Sequence, residues 1–372
     1  MRKEKTKYKS STALLLAACA LPGIIPVAYA ETIPTTGLIS AKLLAYHQNQ
    51  PNDEGQNKSS VIAPSIYFSK PIAEKWLIEG SLTHDNVSGA SPRYHTTAAS
   101  KMSDKRTAAD VKVKHYFDKG TVAVGVAYSS ENDYKSTAIS LAGSTWSDDK
   151  NTTWSGGIAY NQDKINPVNQ IVVGEKKRGL ELQVGVTQVL TPLDIAQLSA
   201  TYSEGAGYYS DPYKTFDNRP RNRNAGILLA RWNHHFKEQG ATSRFQYRFY
   251  NDSFGVQAHT LGLEVVKTLP GGWTVTPGIR YSTQSKADFY ADPPFPKGRV
   301  AGDYYSADQR LANMGSVTVG LKVSKQIDAE STIDFKLESY IQRTGLYLGS
   351  NKSTGLDPLE ATIIQVGYSR KF

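Results

Sequence analysis

The feature that most constrains this chain is a two-residue hydrophobic period that recurs, segment after segment, over lengths of about ten residues. Ile333, Phe335 and Leu337 alternate with Asp334, Lys336 and Glu338, and Val317, Val319, Leu321 and Val323 alternate with Ser316, Thr318, Gly320 and Lys322. Trp273, Val275, Ile279 and Tyr281 repeat the pattern, as do Phe245, Tyr247 and Phe249, and Val122, Val124, Val126 and Tyr128. One such strand would suit a soluble sandwich equally well. Its repetition, at the length of a tilted strand crossing a bilayer, points to a transmembrane barrel.

The connections sharpen that choice. Asp118-Lys119-Gly120, Thr191-Pro192-Leu193, Pro270-Gly271-Gly272 and Asp328-Ala329-Glu330 read as tight turns. Between them lie longer polar stretches: Ser88 to Lys105, Asp163 to Lys177, Gly205 to Asn222, Gln284 to Ala307 and Thr344 to Pro358. Short periplasmic turns and long extracellular loops are the habit of outer-membrane barrels. The segments predict strands over 36–48, 59–70, 75–87, 106–117, 121–131, 134–146, 152–162, 178–190, 194–204, 223–236, 242–251, 256–269, 272–283, 311–326, 331–344 and 359–372. The expected fold is therefore all-β, a transmembrane antiparallel up-and-down β-barrel of about sixteen strands, the even number usual for single-chain bacterial barrels. In the first segment Ile39, Ala41 and Leu43 compete with Leu38, Leu44 and Tyr46 for the outward face.

Composition agrees with a barrel without requiring one. The 372 residues are 39% hydrophobic and 21% charged, which excludes a disordered chain, and outside the first thirty residues no run approaches the ~20 apolar residues of a spanning helix. Arg2, Lys3, Lys5, Lys7 and Lys9 precede an apolar stretch ending in Ala28-Tyr29-Ala30, so residues 1–30 read as a cleaved export signal ahead of a barrel over 31–372. Leu16-Ala17-Ala18-Cys19 competes with this as a lipoprotein box. Cleavage after Ala30 removes the one cysteine and lowers the net charge from +9 to +5, which excludes thiol chemistry and weakens a nucleic-acid reading. The chain closes on an alternating strand whose Gln365, Gly367 and terminal Phe372 resemble the signal read by the barrel assembly machinery, with Arg370 departing from that pattern.

Several further stretches carry a family resemblance. His84-Asp85-Asn86-Val87-Ser88-Gly89-Ala90-Ser91-Pro92, Glu131-Asn132-Asp133-Tyr134, Gly185-Val186-Thr187-Gln188-Val189-Leu190, Ser210-Asp211-Pro212-Tyr213-Lys214, Asn218-Arg219-Pro220, His259-Thr260-Leu261 and Ala287-Asp288-Phe289-Tyr290 resemble, collinearly, a family of uncharacterised Gram-negative outer-membrane β-barrel proteins. The resemblance implies an outer-membrane location and a setting beside envelope redox proteins, which would be partners along with the lipids and the assembly machinery. It carries over no active site. Asp85, Ser210, Asp211, Pro212, Tyr213 and His259 are its candidate loop positions.

If the apolar residues face lipid, Arg231, Arg244, Arg248 and Arg280 project into the lumen, with Lys112, Lys114, Lys322 and Lys336 elsewhere on the wall. Arginine patches set anion preference in pores. Glu79, Glu181, Glu264, Asp334 and Glu338 share that interior, and wall-stiffening ion pairs are the alternative role. Among the loops, Asp85, Asp133, Asp211, Asp217, Asp288 and Asp303 offer oxygen ligands for Ca²⁺, but without a calcium-loop spacing they fit turn capping better. His234 and His235 face opposite sides of a strand, while His47, His84, His95, His115 and His259 lie on separate segments, so no metal or other cofactor and no enzymatic role is expected. Trp76, Trp154, Trp232 and Trp273 suit an interfacial girdle. The functional expectation is a porin-like conduit for small polar or anionic solutes. The alternative is a non-conducting scaffold for a periplasmic or cell-surface redox assembly.

Overall fold

A computed structural model describes residues 32–48, 59–90, 101–214, 217–292, 302–353 and 355–372. Residues 1–31 lie outside it, and with them the export signal and Cys19, as do Ser91, Pro92 and His95. The strands are β1 (Leu38–Gln48), β2 (Ser60–Ala73), β3 (Trp76–Ala90), β4 (Lys101–Phe117), β5 (Gly120–Ser130), β6 (Tyr134–Trp146), β7 (Thr152–Ile165) and β8 (Glu175–Thr191). They continue as β9 (Asp194–Gly207), β10 (Asn222–Phe236), β11 (Ala241–Asp252), β12 (Gln257–Leu269), β13 (Trp273–Gln284), β14 (Met314–Gln326), β15 (Ser331–Arg343) and β16 (Leu359–Lys371).

Each strand pairs antiparallel with its sequence neighbours, and β1 closes the ring on β16 from Leu38↔Lys371 to Gln48↔Ala361. Closure leaves no sheet edge, so the ladder hydrogen-bonds its backbone within the wall, as a lipid environment requires. At the seam the Gly37 N–H donates to the Phe372 carbonyl at 2.8 Å and the Phe372 N–H to the Gly37 carbonyl at 3.0 Å. The Phe372 ring lies over Gly37, where a Cβ would stand 2.6 Å from Cζ.

Side-chain parity follows the sequence period. Val122, Val124 and Val126, Leu180, Leu182 and Val184, and Ile333, Phe335 and Leu337 are exposed on the outer face. In β1 the outward set is Ile39 and Leu43, while Ser40 turns inward and bonds Ser369 across the seam at 2.8 Å between hydroxyl oxygens. Trp76, Trp154, Trp232 and Trp273 all stand outward at the end that carries the chain termini, and Tyr128, Tyr160 and Tyr202 stand outward nearer the other. The outer surface thus has an apolar band with Trp along one margin and Tyr along the opposite one.

Connections at the terminus-bearing, periplasmic end are two to five residues long. At the opposite end, 166–174, 208–221, 285–313 and 344–358 are long, while 131–133 and 253–256 are short exceptions. The ladder also runs further outward than the hydrophobic period indicates. Residues 88–90 and 101–105 belong to β3 and β4, and 163–165 and 175–177 to β7 and β8, where continuous loops over Ser88 to Lys105 and Asp163 to Lys177 are expected. Above the lipid both faces are polar, so the period vanishes while the pairing continues.

Candidate functional site

The inward faces of β10 to β16, with β1, enclose a cavity of about 800 Å³ in the periplasmic half of the barrel. Its lining includes Lys42, Arg231, Arg244, Arg280, Lys322 and Lys336 against only Glu264 and Glu338. Thr274, Thr276, Thr318, Ser324 and Gln365 supply hydroxyl and amide groups between these charges. Strand parity places these side chains inward, because each alternates with an apolar residue on the lipid face.

The lumen cations divide into two groups. On the β13 to β16 wall, Arg280 lies 3.6 Å from Glu338, Lys336 is 2.9 Å from the same carboxylate, and Lys322 is 3.5 Å from Asp334. Glycines make room for these acids: a Cβ at Gly320 would stand 2.9 Å from Glu338 Cγ, and one at Gly367 would collide with the Asp334 carboxylate. On the β10–β11 wall, Arg231 donates to the Gln197 amide oxygen at 3.2 Å. Neither Arg231 nor Arg244 has a carboxylate within the 4.0 Å ion-pair distance among the described residues. Glu264 faces Arg244 by register yet lies along Gly278. By register Arg231 and Arg244 are diagonal neighbours on β10 and β11, and like charges so placed repel, so this wall is left attractive to an anion.

Of the four arginines predicted to face the lumen, Arg248 lies outside the cavity. It lies nearer the outer end, with its guanidinium carbon 5.3 Å from the Tyr250 ring centroid. Elsewhere, Lys112 pairs with Glu79 at 3.0 Å. Of the terminal residues, Gln365 lines the cavity, Gly367 seats the Asp334 carboxylate, and Phe372 closes the seam.

The loop candidates fall into several places. Asp85 is not in a loop: it stands on β3, buried, accepting from Arg106 Nε at 2.6 Å. His259 is likewise on a strand, outward on β12, bonded to the Tyr247 hydroxyl at 2.8 Å and 5.1 Å from the Phe249 ring. Both lie near the outer ends of strands that the hydrophobic period already marks, 75–87 and 256–269. The other four form a strap. Ser210 Oγ accepts from the Arg219 N–H at 3.0 Å, Asp211 from the Tyr213 N–H at 3.0 Å, and the Pro212 carbonyl from Asn169 at 3.0 Å. Tyr213 then donates to Asp133 at 2.5 Å.

That strap, in its described residues 208–214 and 217–221, also holds residues 305–308 of the connection between β13 and β14. Asn218 bridges to Tyr305 in the manner of two strands, and Arg219 donates to Asp217 at 2.7 Å and to Asp308 at 2.8 Å. Asp308 is 1% exposed and also pairs with Arg310, which reaches Asp211 at 3.2 Å. Burial alone would raise the Asp308 carboxyl, but the cations of Arg310, Lys214 and Arg219 hold it well below the usual carboxylate range. Beside this network Phe254, Val256, Ala287, Tyr290, Leu311, Ala312 and Leu356 form an apolar core against the inward Tyr250. Sequence reasoning did not find Asp308, Arg310 or this core, because the partners come together only through long-range loop packing. Among the described residues, no group of three or more His, Cys, Asp or Glu side chains is placed to hold a metal ion.

Solved structures share this architecture at low identity. A bacterial polysaccharide outer membrane secretin matches with a TM-score of 0.51 at 8% identity, covering 90% of this chain and 98% of its own. CdiB from Acinetobacter baumannii matches with a TM-score of 0.53 at 10% identity, covering 91% of this chain and 61% of its own. The siderophore receptor PirA from Pseudomonas aeruginosa gives a TM-score of 0.46 at 10% identity, covering 92% of this chain and 81% of its own. At these identities the likeness is one of fold, that of outer-membrane β-barrels. Among curated proteins none matches the chain by sequence. A family profile described as "Protein of unknown function (DUF3570)" matches residues 95–370, which span β4 to β16, and the chain belongs to that family.

Proposed function

We propose that this chain is an outer-membrane conduit for small anionic solutes, with the periplasmic half of the lumen as its selective vestibule. The observation that carries the reading is the lining of the cavity: six cations against two carboxylates, with Thr274, Thr276, Thr318, Ser324, Asn233, Gln246 and Gln365 as neutral polar groups between them. A ring of like charge in a low-dielectric channel concentrates counter-ions and excludes co-ions. The outer apolar band supports membrane insertion, and residues 1–30 would supply export to it. The reading includes assembly through Gln365, Gly367 and Phe372, and it assigns no catalytic residue.

One observation favours the second reading, a non-conducting scaffold for an envelope redox assembly. The described residues of the connections after β9 and β13 pack together at the outer end of the barrel, with Phe254, Ala287 and Ala312 almost wholly buried among them. Planar-bilayer recording of the purified barrel separates the two. The conduit should give discrete conductance steps and a reversal potential, in a salt gradient, displaced toward the anion. A correctly folded barrel that stays silent would overturn the conduit.

A further inference from the structure

The lower lumen contains a set of donors with a definite arrangement. By ladder register, Arg231 stands opposite Gln246 and Asn233 opposite Arg244 on the adjacent strands β10 and β11. All four line the cavity. They therefore form a rectangle on one wall, with guanidiniums on one diagonal and amides on the other. Gln197 accepts from Arg231 at 3.2 Å and so fixes one edge of that guanidinium. Gln246 lies against Gly262, where a Cβ would come within 2.9 Å of its Cγ, so the amide is held along the wall and not over the arginines.

The nearest acid by register is Glu264, across from Arg244, and it lies along Gly278 without reaching ion-pair distance. Two forked cations on one diagonal of a strand pair, with no carboxylate at ion-pair distance from either among the described residues, suit a ligand of two negative charges. A guanidinium binds carboxylate or phosphate oxygens through two parallel N–H donors, and a single monoanion would satisfy only one fork. The amides add both donors and acceptors, which suits an oxyanion that retains a hydroxyl. Inward Thr274, Thr276, Ser324 and Gln365 make most of the facing wall polar, with Val266 as an inward apolar residue beside it, which suits a small ligand with a hydrophilic body.

We propose that Arg231, Asn233, Arg244 and Gln246 form a binding seat for a small hydrophilic dianion bearing phosphate or carboxylate oxygens. The inference rests on the conduit reading for its route, since the seat lies on the path a solute would take, but its occupancy can be measured without conduction. Folded barrel in detergent is titrated calorimetrically at low ionic strength with inorganic phosphate, with succinate, and with chloride as the monoanion. Saturable one-to-one binding of phosphate or succinate, with chloride much weaker, is expected; the stronger of the two identifies the oxyanion the seat prefers. Arg231→Gln and Arg244→Gln should each weaken binding by about tenfold or more, the loss of one charge-assisted partner. Arg248→Gln, outside the cavity, should leave it unchanged.

Arg244→Lys provides a second variant that keeps the charge and removes the fork, and it should weaken binding while anion preference in bilayers persists. Heat-modifiable gel migration verifies that each variant is folded. Non-saturable binding, chloride binding as tightly as phosphate, or unchanged affinity in the folded Arg231 and Arg244 variants would overturn the seat. A barrel silent in bilayers that still binds phosphate through these arginines would end the conduit reading and leave the seat standing. Anion-selective conduction without saturable binding would do the reverse.

Discussion

Glu131 follows the outer end of β5 in a short loop that is rich in acids. Burial, and then the neighbouring charge of Asp104, push its carboxyl up to about 7, against the opposing pull of Arg106; Asp133 adds a further negative charge. The folded barrel therefore holds a proton that the unfolded chain, with its carboxyl near 4.5, would release between those two values. In that window the native state binds more protons than the unfolded state, so stability falls as pH rises and the loss is complete above about 7. Thermal loss of the heat-modifiable form, compared at pH 5.5 and pH 8 as nominal conditions on either side of the upper value, should show a lower midpoint at the higher pH. Glu131→Gln should flatten that difference by raising the midpoint at pH 8. A wild-type midpoint that climbs across the window, or a variant with the same slope, would contradict this account. The same residue scale explains the two walls of the vestibule. Lys336 and Glu338 share a face two residues apart, and they pair. Arg244 and Glu264 share a rung of the ladder, and they do not, because Glu264 is accommodated over Gly278.

At the scale of elements, the alternation of turn and loop fixes which ends of the strands share a compartment. The turn 118–119 joins β4 and β5 at the end that carries both termini, and Asp118 has a side chain 91% exposed. The loop 166–174 joins β7 and β8 at the other end, and Val173 is 75% exposed. The sequence contains one cysteine, at position 19, ahead of the expected cleavage site. Single cysteines at Val173 and Asp118 are therefore clean reporters: in intact cells an impermeant maleimide should label the Val173→Cys protein at once and the Asp118→Cys protein only after the outer membrane is opened. Labelling of both from outside would invalidate the orientation. These elements were legible because period and turn chemistry are local. Val122, Val124 and Val126 announce a lipid face by themselves, and Pro270-Gly271-Gly272 announces a turn, with Gly271 and Gly272 at φ of 74° and 76°. The outer extensions of β3, β4, β7 and β8 were not legible, since Asp104, Arg106 and Asp163 sit on inward faces while the outward faces above the lipid are no longer apolar. Likewise the parity of Arg231, Arg244 and Arg280 could be read from the chain, but their pairing could not. It depends on cross-strand register, on which neighbour is glycine, and, for Arg219 with Asp308, on a contact between residues 89 positions apart.

For the molecule as a whole, the cation-rich lining and the packed loops lie at opposite ends of the barrel, so on the conduit reading selection and restriction are separate. The vestibule is lined by Lys42, Arg231 and Arg244 in the lower lumen, whereas Tyr209, Phe254, Tyr290 and Leu311 pack at the outer mouth. Tyr209 is folded back over Gly205, and the Lys177 ammonium lies 5.5 Å from its ring, so this part of the loop turns toward the inward faces of β8 and β9. The strap 208–221 is tied at one side to Asp133 and at the other to Tyr305 and Asp308. Conductance and selectivity should therefore respond to different changes. Replacing 210–219 by a short Gly-Ser link removes Tyr213, Lys214 and Arg219 together and releases both ties; in bilayers the unitary conductance should rise while the reversal potential stays displaced toward the anion. Reversing charge at Arg231 and Arg244 in the intact barrel should do the opposite, moving the reversal potential toward the cation with a smaller effect on the number of open channels. Loss of anion preference on removing the strap would place the selective charge in the loops. An unchanged conductance would mean that the strap does not limit passage, and the restriction would then have to be sought lower in the lumen, beside the arginine wall itself.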